Sequence, residues 1–334
     1  MRRRLATMIL AGLMVTALVP PGALPSAGAV ETHGPGYHSW RRGSPIDVHV
    51  HTTGGAMLEG GESDRWPAWE SFLKQAGYGD IVIVCATCDN VYNQYVLNIH
   101  AVDSVQTLKL TKRQAASDPF VLDSVAGAEG IFFAGGDQSD YVRVWKDTPL
   151  EDTINGVIAR GGAVGGISAG LAILGQFLFS AERDTIHSGQ ALRDCFAKKI
   201  TLERELLDVP ALSSTITDSH FTQRDRLGRL LTFMARTIRD GWSRQTIGIG
   251  LDEDTAALLR RDGRAKIVGQ GDVSFLRMRG SNILSCRPGR PLRTTFLTVH
   301  VVHRGSSFDL RDWTGDANPR LRVRARGGLL VLAR

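Results

Sequence analysis

A serine framed by glycines is the first feature of this sequence that could do chemistry. The segment G-I-S-A-G occupies residues 166–170, directly after a short apolar run. It fits the pattern G-x-S-x-G, in which a sharp turn between a strand and a helix exposes a serine hydroxyl. A glycine-rich turn that contains a serine by coincidence would look the same. Ser168 is therefore a candidate nucleophile, and other residues must supply a base and an acid.

His220 is the candidate base. A serine hydroxyl is a poor nucleophile near neutral pH and needs a base within hydrogen-bond reach. His220 lies where a predicted strand runs into a helix, so its imidazole could share a sheet edge with Ser168. The acid that orients the base is expected soon after the serine, where residues 179–185 offer Glu182 and Asp184. Both fall on one face of an extended segment, so periodicity does not choose between them.

Backbone N–H groups near Ser168 could stabilise the oxyanion that forms during acyl transfer. Ala169 follows the serine directly, while Gly136 and Asp137 follow the apolar run at residues 130–134. Glycines permit the close approach of the backbone, and removing one such donor typically costs about 3–4 kcal/mol of transition-state stabilisation.

Three arginines follow His220 and favour a substrate that carries carboxylates. Arg224 comes first, and Arg226 and Arg229 are three residues apart on one face of a predicted helix. Guanidinium groups bind carboxylates with two parallel hydrogen bonds. A solvated helix face is the alternative explanation of this cluster.

Alternating strand and helix patterns predict an α/β fold with a mostly parallel sheet flanked by helices. Strands are predicted at residues 47–52, 57–59, 81–85, 105–110, 130–134 and 163–165, and helices at residues 66–76, 91–99, 119–125 and 149–160. Residues 265–334 contain short strands and many turns, and we expect them to complete or flank the same sheet. Functional residues in such sheets lie beyond the carboxyl ends of the strands, where the segments 135–138 and 166–170 would meet.

The N-terminus has the features of a secretory signal peptide. Residues 1–29 comprise three arginines, an apolar stretch and a final A-x-A pattern. We therefore predict a secreted or periplasmic protein, with an uncleaved N-terminal anchor as the alternative. Residues 30–46 are expected to form an N-terminal arm, and residues 47–334 a single α/β domain with a strand-rich part at about 265–334.

Charge and cysteine content narrow the class of protein. The 334-residue chain has a formal net charge of +6, which falls to +3 when the three arginines of the signal peptide leave. This weak charge gives no indication of nucleic-acid binding, and the apolar N-terminal stretch is too short for stable membrane insertion.

Export favours disulfide formation, so the four cysteines are expected to be buried or disulfide-bonded, with their pairing left open. No second cysteine pair is present to complete a metal site with Cys85 and Cys88.

Four motifs together resemble the cyanophycinase and dipeptidase E family of serine peptidases. They are FFAGGDQ (132–138), GGISAG (165–170), DSHFTQRDRLGRL (218–230) and IGIGLDEDTA (247–256). The resemblance runs from about residue 54 to residue 275, in the family's order. It implies a flavodoxin-like three-layer sandwich, similar to class I glutamine amidotransferases, and no metal or organic cofactor.

The resemblance also implies roles for individual residues. Ser168 matches the nucleophile and His220 the general base, with Glu182 preferred as the acid and Asp184 second. Five polar residues match positions that line the pocket or recognise the substrate: Gln138, Asp218, Arg224, Arg226 and Arg229. Two departures, Ser219 where glutamine is usual and Asp225 where glycine is usual, fall in the recognition segment and put the substrate in question more than the reaction.

The activity implied by the resemblance is that of a serine-type peptidase acting on peptide or isopeptide bonds at aspartyl residues, and the signal peptide, a departure from the intracellular enzymes of the family, predicts that it is secreted. Its substrate would be cyanophycin, from which such enzymes release β-Asp-Arg dipeptides. One alternative is an α/β-hydrolase-type esterase, with Asp252 or Asp254 as the acid and His300 or His303 as the base. Another is a non-catalytic binding protein on the same scaffold. The sequence does not fix the oligomeric state, and a homodimer is one option.

Overall fold

The computed structural model describes residues 29–63 and 66–333, which form an α/β structure. The predicted signal peptide therefore lies outside the described residues, apart from Ala29. The strands are β1 (Val30–Gly34), β2 (Tyr37–Gly43), β3 (Gly55–Glu59), β4 (Asp80–Cys85), β5 (Ser104–Leu110), β6 (Gly130–Phe133), β7 (Ala163–Ile167), β8 (Phe177–Phe179), β9 (Leu202–Arg204), β10 (Thr215–Asp218), β11 (Gln245–Leu251), β12 (Thr255–Leu259), β13 (Arg264–Gly269), β14 (Asp272–Arg279), β15 (Ile283–Ser285), β16 (Arg293–Thr294), β17 (Leu297–His303), β18 (Ser307–Asp309), β19 (Thr314–Gly315), β20 (Arg320–Arg326) and β21 (Leu329–Ala333).

Helices connect most of the strands in the first two thirds of the chain. They are α1 (Trp66–Gln75), α2 (Val91–Ile99), α3 (Pro119–Ala126), α4 (Gln138–Trp145), α5 (Pro149–Ala159), α6 (Ala169–Ala172), α7 (Ser188–Arg193) and α8 (Leu227–Arg239). Short 3₁₀ turns occur at Arg113–Ser117, Pro210–Leu212 and Gly280–Asn282. The four helices predicted from sequence are confirmed, with bounds that differ by no more than one residue at either end. No helix in the described part of the chain combines the length and apolar composition that a bilayer crossing requires.

The larger sheet has eleven strands in the order β1-β2-β5-β4-β6-β7-β3-β12-β13-β18-β19. Its centre is parallel, because β4 pairs in parallel with β5 and β6, and β7 pairs in parallel with β6 and β3. The strands on both flanks are antiparallel. The prediction of a mostly parallel sheet therefore describes only the five central strands. The sheet as a whole is mixed, since hairpins extend it at both edges.

A second sheet has eight strands in the order β21-β20-β17-β14-β11-β10-β8-β9. Here β10 is parallel to β8 and β11, while the remaining pairs are antiparallel. The expectation that residues 265–334 complete or flank the same sheet is confirmed only in part. These residues extend both sheets, because β13, β18 and β19 join the first and β14, β17, β20 and β21 join the second.

Both faces of the first sheet are buried, which explains its continuous apolar strands. Ile81 and Ile83 of β4 face a core built with α1 and α2, where Trp69 is fully buried. Val82 and Val84 face the opposite core, which also contains residues of the second sheet such as Phe275. The alternation along β4 therefore places the first sheet between helices on one side and a larger mixed core on the other.

Two predictions about the N-terminal part need correction. Residues 30–46, predicted as an N-terminal arm separate from the domain, belong to the first sheet, since β1 and β2 form a hairpin and β2 pairs along its full length with β5. Residues 47–52 form no strand, although their sequence alternates. Their chain runs over the surface, where Val48 N–H donates to the Asp80 carboxylate at 3.2 Å instead of to a neighbouring strand. The division into a single domain over residues 47–334 stays a prediction.

The four cysteines form two disulfides, as the expected oxidising compartment allows. Cys85 pairs with Cys88 at the end of β4, and Cys195 pairs with Cys286 across 91 residues. The prediction that the cysteines are buried or disulfide-bonded is confirmed.

Candidate active site

The turn after β7 holds Ser168 in an unusual backbone conformation. Its φ is 53° and its ψ is −107°, outside the regions that most residues occupy. The flanking glycines make this turn possible. A Cβ on Gly166 would lie 2.5 Å from the carbonyl of Gly170, and a Cβ on Gly170 would lie 2.0 Å from the carbonyl oxygen of Phe133. The glycines of the motif are therefore required by close backbone packing under the serine.

Ser168, His220 and Glu253 form a continuous hydrogen-bonded chain. Ser168 Oγ lies 2.8 Å from His220 Nε2, and His220 Nδ1 lies 2.6 Å from Glu253 Oε1. A carboxylate can only accept, so Nδ1 carries the proton and Nε2 is left to accept from the serine hydroxyl. This is the arrangement that a general base requires.

Two sheets contribute to this chain. Ser168 follows β7 of the first sheet, whereas His220 follows β10 and Glu253 follows β11 of the second sheet. Because β10 and β11 are parallel neighbours, their carboxyl ends bring His220 and Glu253 side by side. The site therefore lies where the carboxyl ends of strands from both sheets meet.

The end of β3 connects the two halves of the site. Glu59 C=O accepts from the Ser168 N–H at 3.1 Å, and Gly60 C=O accepts from the His220 N–H at 2.8 Å. Gly61 has a φ of 118°, and a Cβ there would lie 2.3 Å from the His220 ring. The glycines after β3 therefore let the backbone pass directly against the imidazole.

The environment of His220 favours the neutral imidazole. Burial lowers the pKa of His220 below its ordinary value, and the charges of Arg224 and Arg226 lower it further. The hydrogen bond to Glu253 acts in the opposite direction and does not cancel the effect of burial. A neutral ring near neutral pH can accept a proton from Ser168.

The structure corrects the acid expected from the sequence. Glu182 is exposed, and Ser180 Oγ–H donates to it at 3.4 Å. Asp184 is exposed and paired with Lys199 at 2.6 Å, which lowers the pKa of its carboxyl. Residues 181–184 form a turn, closed by a hydrogen bond from Asp184 N–H to Ala181 C=O, and not an extended segment along the sheet edge. The acid in contact with His220 is Glu253 instead.

The signal for Glu253 was present in the motif IGIGLDEDTA. An apolar strand that ends in three acids places carboxylates at the carboxyl edge of the sheet. Hydrogen bonds within the loop decide which of the three carboxylates faces His220, and a sequence pattern does not reveal these bonds. Asp252 accepts from Thr222 N–H at 2.9 Å, and Asp254 accepts from the Ser63 hydroxyl at 2.6 Å.

The histidines of the esterase alternative have other contacts. His300 is buried with its ring 5.4 Å from that of Phe308, and His303 contacts Asp272. The base that contacts the serine is His220, in line with the peptidase prediction and not with the esterase one.

Most of the predicted binding residues line a cavity of about 60 Å³ at the serine. Its wall includes Ser168, His220, Gly136 and Ala169. The predicted binding residues on the same wall are Gln138, Asp218, Arg224, Arg226 and Arg229. An adjoining cavity of about 410 Å³ shares Gly136, Gln138 and the arginines, and also reaches Asp137. Asp137 itself is the N-cap of α4, where its carboxylate accepts from Ser139 N–H at 2.9 Å. The larger cavity offers room for a substrate beside the serine.

Asp218 and Arg229 are occupied with each other. Arg229 donates two hydrogen bonds to the Asp218 carboxylate, at 2.6 and 2.8 Å, and both side chains are buried. Arg226 also donates to Asp218, at 3.2 Å, and to the carbonyl oxygen of Ser219, at 2.9 Å. Burial lowers the pKa of Arg226 to about 10, so it stays protonated near neutral pH. These contacts hold the side chains of Asp218, Arg226 and Arg229 in place on the wall of the cavity.

Arg224 differs from the other two arginines. It is exposed at the cavity, and no carboxylate in residues 29–63 or 66–333 forms an ion pair with it. Gln138 is less free, since its side-chain amide donates to Phe179 C=O at 3.2 Å. Of the three arginines, Arg224 is therefore the one placed to meet an anionic group of a bound molecule.

Comparison with known proteins identifies the family of this chain. The sequence pattern described as Peptidase family S51 matches residues 79–268, more than half of the chain. The chain belongs to peptidase family S51. The S51 region contains Ser168, His220 and Glu253, and the resemblance to the cyanophycinase and peptidase E family is thereby confirmed.

Two of the proteins similar to this chain are named cyanophycinase. That of Trichormus variabilis is 29% identical over 217 residues, or 62% of this chain, and the match covers 66% of its own length, just under two thirds. That of Synechococcus elongatus is 27% identical over 286 residues, covering 80% of this chain and 84% of the relative. A solved peptidase from an acI-B1 Actinobacterium has a similar fold, with a TM-score of 0.53 at 18% identity, covering 78% of this chain and all but 2% of its own.

Proposed function

We propose that this chain is a serine-type peptidase that cleaves peptide or isopeptide bonds at aspartyl residues, with cyanophycin as its substrate and β-Asp-Arg dipeptides as products. The observation that carries the proposal is the chain of contacts from Ser168 through His220 to Glu253, open to a cavity lined by Arg224, which has no ion pair with a carboxylate of the described residues. The cyanophycinase relatives support the choice of substrate.

In the proposed reaction, Ser168 Oγ attacks the carbonyl carbon of the scissile bond while His220 Nε2 takes its proton. The negative charge that forms on the carbonyl oxygen is met by the N–H groups of Ala169 and Gly136, which line the same cavity. The imidazolium then gives its proton to the leaving amine, and the bond to nitrogen breaks. Water releases the acyl group from Ser168 by the same steps, with Glu253 holding the ring throughout.

Arg224 supports an acidic substrate. A carboxylate of the substrate, placed in the adjoining cavity, could accept hydrogen bonds from its guanidinium without displacing an existing ion pair. The two departures in the recognition segment, Ser219 and Asp225, do not support this choice of substrate. The carbonyl of Ser219 receives a bond from Arg226, and the carbonyl of Asp225 receives one from the Ser188 hydroxyl, so both have structural contacts within the protein.

We also propose that the protein is exported and that cleavage after Ala29 leaves Val30 as the first residue. The pattern of residues 1–29 supports this, together with the two disulfides. N-terminal sequencing of the exported protein would test it.

We propose a flavodoxin-like arrangement for the region of the parallel strands β5-β4-β6-β7-β3. The helices on one face of these strands and the mixed core on the other support it.

The test of function is hydrolysis of cyanophycin by purified protein comprising residues 30–334. We expect β-Asp-Arg dipeptides by mass spectrometry and covalent labelling of Ser168 by a fluorophosphonate. Ser168→Ala should lose both, while Ser180→Ala, which removes a nearby hydroxyl without contact to His220, should keep both. Labelling without dipeptide would retain the peptidase and reject this substrate. Neither label nor product would leave a binding protein as the explanation.

A further inference from the structure

The N-terminal hairpin places two imidazoles and a carboxylate on one face. His33 of β1 pairs directly with His38 of β2, and Glu31 precedes His33 by two residues. Side chains alternate along a strand and paired residues share a face, so all three lie on the same side. The opposite side is occupied by Tyr37, which stacks on Phe120 at 5.4 Å.

These three side chains converge. One nitrogen from each ring and one carboxylate oxygen of Glu31 lie within 4.8 Å of one another. Glu31 Oε1 lies 3.3 Å from His33 Nε2 and also contacts His38 Nε2. Two ligands bound to one tetrahedral ion at about 2.1 Å lie roughly 3.4 Å apart, so the 3.3 Å separation of Glu31 and His33 fits a shared ion.

We propose that Glu31, His33 and His38 bind a divalent first-row transition metal, Zn²⁺ or Cu²⁺. Two imidazole nitrogens with one carboxylate oxygen suit these ions, whereas Mg²⁺ and Ca²⁺ favour sites made of oxygen ligands alone. The side chains of His33, Glu31 and His38 are 63%, 48% and 27% exposed, so an ion can enter from solvent and water can complete its coordination.

The backbone fixes the register on which this site depends. The turn at residues 35–36 consists of Pro35 and Gly36, and Gly36 has a φ of 86°, as position three of a type II turn requires. His38 is on a strand that pairs along its full length with β5, while Glu31 and His33 are on the edge strand β1. A bound ion would therefore fasten the edge strand to the rest of the sheet. The site is separate from the one that contains Ser168.

Zn²⁺ binding by calorimetry tests the proposal, using residues 30–334 without an affinity tag. We expect one equivalent in the wild type, and binding weakened at least about tenfold in both His33→Ala and His38→Ala. His49→Ala is the matched control, because its ring also lies near a carboxylate, 3.8 Å from Asp47, but outside the cluster. This variant should bind as the wild type does.

Two further measurements use Cu²⁺ as the probe. Electron paramagnetic resonance should show coupling to two imidazole nitrogens in the wild type and to one in His33→Ala. Trp40 packs against His38 with ring centroids 3.7 Å apart, so Cu²⁺ should quench its fluorescence, and Trp40→Phe should lose that part of the quenching.

The proposal is overturned if the wild type shows no saturable binding of one equivalent. It is also overturned if His33→Ala and His38→Ala bind Zn²⁺ as tightly as His49→Ala. The wild-type titration and its nitrogen couplings require no substitution, so a variant that fails to fold leaves the test intact. A failure of the hydrolytic proposal would not affect these results, because no step depends on activity.

Discussion

His220 has a polar partner on each ring nitrogen and is almost completely buried. Such a ring cannot rotate without breaking a hydrogen bond that water would not readily replace. The orientation of the base is therefore set by Glu253 on one side and by the backbone of Gly60 and Gly61 on the other.

Replacing Glu253 by glutamine should affect catalysis much more than substrate binding. The amide could donate to Nδ1 and favour the wrong tautomer, so we expect kcat to fall by roughly 10³–10⁴-fold with KM little changed. Steady-state hydrolysis of cyanophycin would measure both. Glu182→Gln and Asp184→Asn serve as controls and should retain kcat, because neither residue contacts His220. A large loss in Glu182→Gln with none in Glu253→Gln would contradict this assignment.

The pH dependence of hydrolysis should report the charge around His220. The base must be neutral to accept the proton, so activity should rise with pH through an apparent pKa below 6.5, the ordinary value. Arg224→Gln removes a positive charge that disfavours the imidazolium, which should raise the pKa of His220 and move the acidic limb to higher pH. A pH profile of kcat/KM measures the shift. Arg239→Gln, at the far end of α8, should leave the profile in place.

The sequence identifies some residues of the site more readily than others. Ser168 and His220 stand in distinctive local motifs, and the structure places them 2.8 Å apart. Glu253 could not be selected, because three consecutive acids follow β11 and the hydrogen bonds of the loop decide which one faces the ring. The choice of Glu182 assumed an extended segment after the serine, where the chain forms a turn.

At the scale of elements, Gly61, which follows β3, is a position that should not tolerate a side chain. A Cβ on Gly61 would overlap the His220 ring, whereas a Cβ on Gly241 would meet no atom within 4 Å. Both glycines have positive φ, so alanine at either should cost about 1–3 kcal/mol of stability through backbone strain. Only Gly61→Ala should also lose hydrolysis. Urea unfolding and activity, measured on both variants, would separate strain from displacement of the ring.

Helices and buried parallel strands were the elements that the sequence predicted best. The helix at residues 91–99 and the strand at residues 81–85 are apolar in patterns that tertiary contacts reinforce. Residues 47–52 alternate in the same way as a strand, but within the described part of the chain they pair with no strand. The division of the strands between two sheets depends on long-range pairing, such as that of β12 with β3, which no local pattern specifies.

At the scale of the molecule, the disulfide between Cys195 and Cys286 closes a loop across 91 residues, against three for Cys85 and Cys88. In the chain-entropy model the longer loop restricts the unfolded chain more. The double variant Cys195→Ala/Cys286→Ala should therefore lose about 2–4 kcal/mol of unfolding free energy, and Cys85→Ala/Cys88→Ala clearly less. Urea denaturation of both, under oxidising conditions, would measure the difference. Equal losses would argue against a loop-length effect.

Because the residues of the site follow strands of two sheets, hydrolysis should depend on how those sheets pack against each other. Ser168 follows a strand of the first sheet, and His220 and Glu253 follow strands of the second. Each sheet can keep the hydrogen bonds between its own strands when the packing between the sheets loosens, while the bond from His220 N–H to Gly60 C=O breaks. Such a state would retain nearly all of its secondary structure by circular dichroism. It would nevertheless be inactive, since an increase of about one ångström in the 2.8 Å distance between Oγ and Nε2 takes the proton acceptor out of hydrogen-bond reach. In heated or mutated protein, loss of turnover should precede loss of ellipticity.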